Sequence, residues 1–265
     1  MNAGAIQLSF GALAASGALV LIAGIVSLAL RLQLERRLAL AAFRTVVQLL
    51  LVGYLLKYVF ALNHPGALAP ILAVMILAAA HSAVTRPSRT YPGATLNAFI
   101  TLTLCGIATT FTVTQLIIQV SPWYKPQYVI PLLGMILGNG LTGISLALDH
   151  LLEQFQQHKG LIEMELAHGA TRWEAARDPL RESVRRGMIP IINSMMVVGI
   201  VSLPGMMTGQ ILAGESPLDA VKYQIVVMFT IAAATSLGCI GIALFTYHAL
   251  FNTKHQLQSH RIRPR

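Results

Sequence analysis

Long apolar stretches without a charged residue recur along this chain, separated by short polar segments. The uncharged windows cover residues 1–30, 58–85, 90–124, 126–148, 187–214 and 223–253. Because about 20 apolar residues cross the hydrocarbon core of a bilayer, each window predicts a membrane span. The segment 38–60 is a seventh candidate, since Arg44 and Lys57 stand near its ends, where long side chains reach water.

The pattern predicts an all-α polytopic membrane protein in which residues 1–265 form a single transmembrane domain with about seven transmembrane helices. A hydrophilic loop at 150–187 separates the fifth span from the sixth. The predicted spans lie at about 6–30, 38–60, 67–85, 93–120, 127–149, 188–212 and 222–250. Composition supports this class, because 55% of the residues are hydrophobic and only 11% are charged.

The 19 lysines and arginines predict the orientation, since cytoplasmic segments collect positive charge. If the N-terminus is outside and the C-terminus cytoplasmic, only Lys57, Lys125 and Lys222 face outward and the other 16 face the cytoplasm. No basic residue precedes the first apolar run, so we expect a retained span and not a signal peptide. Topology thus accounts for the net charge of +9, and no nucleic acid partner is predicted.

The cytoplasmic loop 150–187 reads as two short helices that meet at Gly169. Thr171 and Glu174 have the spacing of a capping box, which predicts that a helix restarts after the bend. Pro179 is expected to end or kink this second helix. The apolar residues around Trp173 favour docking of a soluble partner, and a solvated linker is the alternative.

The stretch ELAHGATRWEA, residues 165–175, with Glu163 before it, resembles the EAA-type coupling segment of ABC transporter permeases. In that family a short helix enters a groove of the ATPase subunit. The usual closing apolar-proline element is displaced to Ile189 and Pro190. The resemblance implies an ATPase-coupling role for Glu163, Glu165, Ala167, Gly169, Ala170, Thr171 and Trp173.

Three further stretches resemble the FetB family of bacterial iron-export permeases, whose plant relatives are linked to aluminium tolerance. They begin at Arg44 (RTVVQLLLVGYLLKYVF), Val129 (VIPLLGMILGN) and Val198 (VGIVSLPGMMTGQILAGESPLDAVKYQI). The resemblance implies a multi-pass permease of the bacterial inner membrane and a cytoplasmic ABC ATPase partner. It also implies a homodimer, with pairing to another permease as the alternative. The chain has no GxxxxGK[ST] phosphate loop, so it is expected to be a transport subunit and not an enzyme, with ATP and Mg²⁺ bound by the partner.

Two elements share a pattern in which a proline precedes glycines spaced four apart, as in close helix contacts within lipid. The residues predicted to pack or bend helices are Pro131, Gly134, Gly138, Pro204, Gly205 and Gly209. The residues predicted to line the translocation pathway are Met135, Asn139, Met206, Met207 and Gln210. For each methionine, ordinary core packing is the alternative.

Arg44 and Gln48 share one helical face and are further pathway candidates, with snorkelling of Arg44 to the headgroups as the alternative. No acidic residue lies within a predicted span except at the edges, and Cys105 and Cys239 fall in separate spans. We therefore predict no tight hard-metal site.

The cargo expected from the resemblance is iron or another metal, and an organic anion is the alternative. A secondary transporter or channel is the alternative class, although it would normally need acids inside the membrane.

Overall fold

Within residues 9–62 and 64–264, which the computed structural model describes, the chain forms nine α-helices and one two-stranded sheet. The elements are α1 (Phe10–Ala29), α2 (Glu35–Leu62), α3 (Pro65–Thr85), β1 (Arg89–Thr90), α4 (Ala94–Phe111), α5 (Pro126–Gln157), α6 (Lys159–Ala167), α7 (Arg172–Val197), α8 (Gly205–Leu212), α9 (Pro217–Leu250) and β2 (Arg263–Pro264). A π-helical turn at Thr112–Ile117 extends α4. The prediction of an all-α polytopic membrane protein is confirmed.

Six stretches of helix in the described residues are long and apolar enough to cross a membrane. They are Gly11–Ala29, Glu35–Leu62, Pro65–Thr85, Ala94–Ile117, Pro126–Gln157 and Pro217–Leu250. They correspond to six of the seven predicted spans, although residues 6–8 of the first lie outside the described part of the chain.

The remaining predicted span, 188–212, is not one continuous helix. It consists of the end of α7, a non-helical segment at 198–204, and α8. The helix breaks at Val198, which is extended, and Gly199, whose φ of +84° is left-handed and suits glycine. Hydropathy does not reveal this break, because the whole segment is apolar.

Of the two outcomes expected at Pro179, an end of the second helix is wrong, and a kink stays a prediction. Both Pro179 and Pro190 lie inside α7, which continues to Val197. Proline removes one backbone donor, but the packing of an amphipathic face outweighs that loss. Leu180, Ser183, Gly187 and Ile191 of α7 are all buried. The second helix is therefore long, and it joins the coupling loop directly to the membrane segment.

We call the end of α7, residues 198–204 and α8 the broken segment. Contacts between helix ends show its direction through the molecule. Trp173 near the start of α7 packs against Tyr247 near the end of α9, with ring centroids 5.7 Å apart. The 34 residues of α9 cover about 51 Å, so α9 begins at the opposite end of the molecule. Because α7 and α8 connect one end of α9 with the other, they traverse the bundle together as a discontinuous helix.

The core forms where α5, α7 and α9 cross. A Cβ atom on Gly187 would lie 2.6 Å from Sγ of Cys239 and 2.7 Å from the carbonyl oxygen of Gly143, so the three helices approach through small residues. The thiols of Cys105 and Cys239 are both free. The largest fully buried side chains of this core include Leu133, Ile144, Leu148, Leu151, Leu152, Phe155, Ile162, Ile242 and Leu250.

Helices α1 and α2 pack mainly on each other and leave most of their apolar surface exposed. Val59 is the one residue of α2 that is buried within the described chain. It joins a small cluster with Leu68, Val129 and Ile130. The outer surfaces of α1 and α2 are therefore available to lipid or to another protein.

Candidate coupling segment and translocation pathway

Gly169 produces the bend between α6 and α7. Its φ of +96° lies in the left-handed region, and it follows the last turn of α6. The N–H of Ala170 donates to the carbonyl of Glu165 at 3.1 Å, and the N–H of Gly169 donates to the carbonyl of Leu166 at 3.1 Å. These two bonds form a Schellman motif, which ends α6 and turns the chain toward α7.

The predicted capping box at the start of α7 is confirmed. The N–H of Glu174 donates to Oγ1 of Thr171 at 3.3 Å, and the N–H of Thr171 donates to Oε2 of Glu174 at 2.7 Å. The Thr171 hydroxyl also donates to this carboxylate at 2.8 Å. These bonds from the backbone and side chain of Thr171 lower the pKa of the Glu174 carboxyl below its ordinary value of 4.5.

The bend presents an exposed apolar surface. Leu161, Met164 and Trp173 are each about half exposed, at 49%, 51% and 49%. On the opposite side, Ile162 of α6 and Ala176 of α7 are buried in the core. The segment is thus fixed to the bundle by one face, while the other is free to meet a partner.

The other predicted coupling residues surround this surface. Glu163 is exposed and pairs with Lys159 at 3.6 Å. Ala167 is exposed, whereas Glu165 and Ala170 are half-buried. The structure therefore brings all seven predicted coupling residues into one bend, and their contact with an ATPase stays a prediction.

A series of aromatic contacts joins the bend at Gly169, which we call the coupling bend, to the ends of two long helices. The ring of Trp173 meets Tyr247 of α9 edge to face, and Tyr247 in turn contacts Phe251 at 5.3 Å. Phe251 contacts Phe155 of α5 at 5.6 Å. The guanidinium of Arg172 lies over the ring of Tyr247 at 5.7 Å. Sequence analysis missed these partners, although the i, i+4 spacing of Tyr247 and Phe251 places them on one face.

The segment after α9 also holds the start of α7, which sequence analysis did not predict. The backbone N–H of Arg172 donates to Nδ1 of His255 at 3.1 Å, and its guanidinium donates to the carbonyl of Asn252 at 3.4 Å. Further along, β2 pairs antiparallel with β1 in the loop between α3 and α4. The C-terminal segment therefore ties the coupling bend to several helix ends at once.

The first proline-glycine element lies within α5. Pro131 and Gly138 are exposed, and Met135 packs against an apolar cluster of α5, α7 and α9. Asn139 is exposed, and its side-chain amide donates to the carbonyl of Met135 at 2.9 Å. A Cβ atom added to Gly134 would lie 3.5 Å from the terminal methyl group of Met75 in α3, which is ordinary van der Waals contact.

The second element begins at the break. Pro204 precedes α8, and Met206 packs against the same apolar cluster as Met135. A Cβ atom added to Gly138, Gly205 or Gly209 would meet nothing within 4 Å. Close helix packing at these three glycines therefore has no partner within the described chain, and it stays a prediction for contacts with another chain.

A half-open cavity of about 360 Å³ lies beside the break. Met207 is the one predicted pathway residue that lines it, together with Val198, Gly199 and Gln224. Oε1 of Gln224 is buried and accepts no hydrogen bond from a described residue, and the same holds for Oε1 of Gln210. Gln224 and the other methionines of this cavity were not predicted, because each is a single polar or soft residue in a long apolar run.

The remaining candidates lie elsewhere. Arg44 and Gln48 are exposed on α2, and neither makes a hydrogen bond or ion pair with a described residue. Near the start of α9, two acidic residues are also exposed: Asp219 pairs with Lys222 at 2.9 Å, and Glu215 precedes the helix. Within residues 9–62 and 64–264, histidine, cysteine, aspartate and glutamate form no group of three or more that could hold a metal ion.

Comparison with known proteins connects these features with a family. Residues 10–251 match the model of an uncharacterised protein family, UPF0014. A UPF0014 membrane protein of Synechocystis is 42% identical over 85% of this chain and 87% of its own length. The probable iron export permease protein FetB of Escherichia coli is 35% identical over 90% and 91%. The protein ALUMINUM SENSITIVE 3 of Arabidopsis thaliana is 31% identical over 93% and 89%.

No solved structure matches the chain. The family match covers nearly all of the helices described above, and the relatives extend over the coupling bend, the broken segment and α9. The chain is a multi-pass membrane protein that belongs to the UPF0014 family, which includes the probable iron export permease FetB.

Proposed function

We propose that this protein is the permease subunit of an ABC transporter in a bacterial inner membrane. It exports iron or another metal from the cytoplasm, and a separate cytoplasmic ATPase subunit binds and hydrolyses ATP with Mg²⁺. The name of the Escherichia coli relative supports permease activity and iron as a cargo. In this proposal the N-terminus faces outward, which places the basic loop 150–187 in the cytoplasm.

The observation that carries the proposal is the exposed bend at Gly169. It presents Leu161, Met164 and Trp173 outward while its inner face packs on the ends of long helices. A movement of the ATPase against this surface is passed to α9 through Tyr247 and to the broken segment directly along α7. A solvated linker would not need these buried contacts.

Two copies of the permease complete the transporter in this proposal. A single chain leaves Gly138, Gly205 and Gly209 open on its surface, together with the non-helical segment 198–204. Backbone that is not helical is tolerated at membrane depth only where protein or a water-filled cavity covers it. A second copy provides this cover and a pathway between the two chains.

Substitution of Gly169 tests the coupling role. Alanine strains the backbone at φ +96°, so Gly169→Ala is expected to distort the bend and lower permease-stimulated ATP hydrolysis about tenfold or more. The matched control is Gly160→Ala, because Gly160 lies within α6 and a Cβ atom there meets open space. Candidate ABC ATPases are co-purified with each variant, reconstituted into vesicles and assayed with and without Fe²⁺.

The expected result is a stable complex for the native chain and for Gly160→Ala, with metal-stimulated hydrolysis in both. Gly169→Ala is expected to fold, as judged by its thermal melting, and to lose stimulation. If no ABC ATPase binds the chain, or if Gly169→Ala retains full stimulation, the coupling role is wrong. Metal efflux that needs no ATP would favour a secondary transporter or channel.

A further inference from the structure

We propose that the cavity beside the broken segment is a binding site for a soft monovalent metal ion of the cuprous class. The thioether sulfurs of Met195, Met207 and Met228 are the proposed ligands, with the amide oxygen of Gln224 as a fourth. This inference rests on the proposed function, because it names the class of metal that the permease carries.

The cavity lies where the membrane pathway is expected. Val198 comes 12 residues after Arg186, the last charged residue of α7, which corresponds to a rise of about 18 Å along a helix. The hydrocarbon core is about 30 Å thick, so the break lies near its centre or in its outer half. Discontinuous helices in transporters expose backbone carbonyls at this depth, and such carbonyls hold ions.

Three methionines from three different elements face this one cavity. Met195 belongs to α7, Met207 to α8 and Met228 to α9, and all three are half-buried. Methionine often fills gaps in a core, and Met135 and Met206 pack in that way. Met195 and Met228 pack against the same apolar cluster and also line the cavity. Met207 differs, because it lines the cavity of about 360 Å³ and is not among the residues packed against that cluster.

Gln224 is the independent observation that points to a ligand. Its side chain is 6% exposed, and its carbonyl oxygen has no hydrogen-bond partner. An unpaired buried amide oxygen costs free energy, so its presence in this cavity indicates a partner that the chain itself does not provide. Val198 and Gly199 also line the cavity, and their carbonyl oxygens accept no backbone hydrogen bond from a described residue.

The chemistry of these donors selects the kind of ion. Thioethers are soft ligands that favour Cu(I), whereas hard ions such as Fe³⁺ and Mg²⁺ favour carboxylates and water. All the proposed ligands are neutral, and no charged residue lines the cavity. Because the cost of placing an ion in a low-dielectric site rises with the square of its charge, this site suits a monovalent ion.

Silver binding to the purified full-length permease tests the site without the ATPase. Ag⁺ is a stable soft probe for the cuprous class, and Cys105→Ser with Cys239→Ser removes the two thiols that would compete. Equilibrium dialysis gives the stoichiometry and affinity, and X-ray absorption at the silver edge gives the ligand atoms. We expect one Ag⁺ per chain, with sulfur as the main ligand.

The variants compare methionines inside and outside the cavity. The triple substitution Met195→Leu, Met207→Leu and Met228→Leu keeps the volume and is expected to lower Ag⁺ affinity more than about tenfold. Met75→Leu, on α3 and away from the cavity, is the matched control and is expected to bind as the parent does. If the triple variant does not fold, each single variant is measured, and each is expected to weaken binding.

Unchanged Ag⁺ affinity in the folded triple variant, or in all three single variants, would overturn the proposal. A silver site without sulfur ligands would do the same. The proposed function is tested by a separate measurement in vesicles. If Fe²⁺ stimulates ATP hydrolysis but Cu⁺ and Ag⁺ do not, the protein is a metal exporter as proposed, and the cavity is not its cargo site. If the purified permease binds Ag⁺ but no ABC ATPase co-purifies with the chain, the site stands and the ABC assignment is wrong.

Discussion

Thr171 and Glu174 fix the start of α7 through three reciprocal hydrogen bonds. The residue types explain the arrangement, because a threonine hydroxyl accepts from a free N–H of the first turn while a glutamate three residues later returns to the cap. The negative charge of Glu174 also lies at the positive end of the helix dipole. Both effects favour the ionised carboxyl.

The capping box therefore predicts a pH dependence. The bonds from Thr171 lower the pKa of Glu174 in the folded chain below 4.5, so their stabilising contribution is present above pH 4.5 and is lost as the pH falls through the folded pKa. Thermal melting of the native chain and of Glu174→Gln is compared between pH 7 and pH 3.5. The native chain is expected to melt at the higher temperature at pH 7, and the difference is expected to narrow below pH 4.5.

The same comparison in a Thr171→Ala background is the control. Removing the hydroxyl deletes one of the two causes of the lowered pKa, so the pH-dependent difference between glutamate and glutamine should shrink. A difference of the same size with and without Thr171 would show that the capping box is not its source.

Among the elements, α7 and α9 connect the coupling bend with the membrane segment. Tyr247 is 4% exposed, and its ring touches Trp173, Arg172 and Phe251. Aromatic pairs contribute about 0.5–1.5 kcal/mol beyond the burial of their area. Tyr247 is thus the main point at which the coupling bend holds the end of α9.

Replacing this ring is expected to uncouple the two elements. Tyr247→Leu removes the aromatic contacts and should lower permease-stimulated ATP hydrolysis by about tenfold. Tyr247→Phe is the matched control, because it keeps the ring and should retain activity within about twofold. Hydrolysis is measured in vesicles with the complex intact. Equal loss in both variants would point to the hydroxyl, and no loss in either would exclude the ring as a link.

The local features of these elements could be predicted from sequence, whereas their partners could not. Gly169 and the TRWE motif specify a bend and a cap within a few residues, so the sequence was sufficient there. The contact between Trp173 and Tyr247 joins distant segments, and no local pattern encodes it. The close crossing uses Gly143 and Gly187, which lie outside the predicted glycine elements, because GxxxG spacing does not specify which helix face meets a neighbour.

For the whole molecule, the broken segment is the feature that one chain leaves incomplete. Ile200 and Val201 are 89% and 78% exposed, although the chain enters this segment from the membrane part of α7. Lipid cannot satisfy the polar groups of non-helical backbone, and the glycines on either side meet nothing within the chain. The homodimer proposed above would cover both this backbone and these glycines.

Cross-linking in membranes tests the position of this interface. In a background with Cys105→Ser and Cys239→Ser, Ile200→Cys is expected to form a covalent dimer with a short bifunctional maleimide. Leu104→Cys, on the exposed face of α4 at 62% exposure, is the matched control and is expected to remain monomeric, since that apolar face is suited to lipid. A dimer through Leu104 but not Ile200 would place the interface on α4. The absence of a dimer in both, with a single chain by native mass spectrometry, would exclude the homodimer and mean that another protein or a water-filled cavity covers the broken segment, because its backbone cannot face lipid.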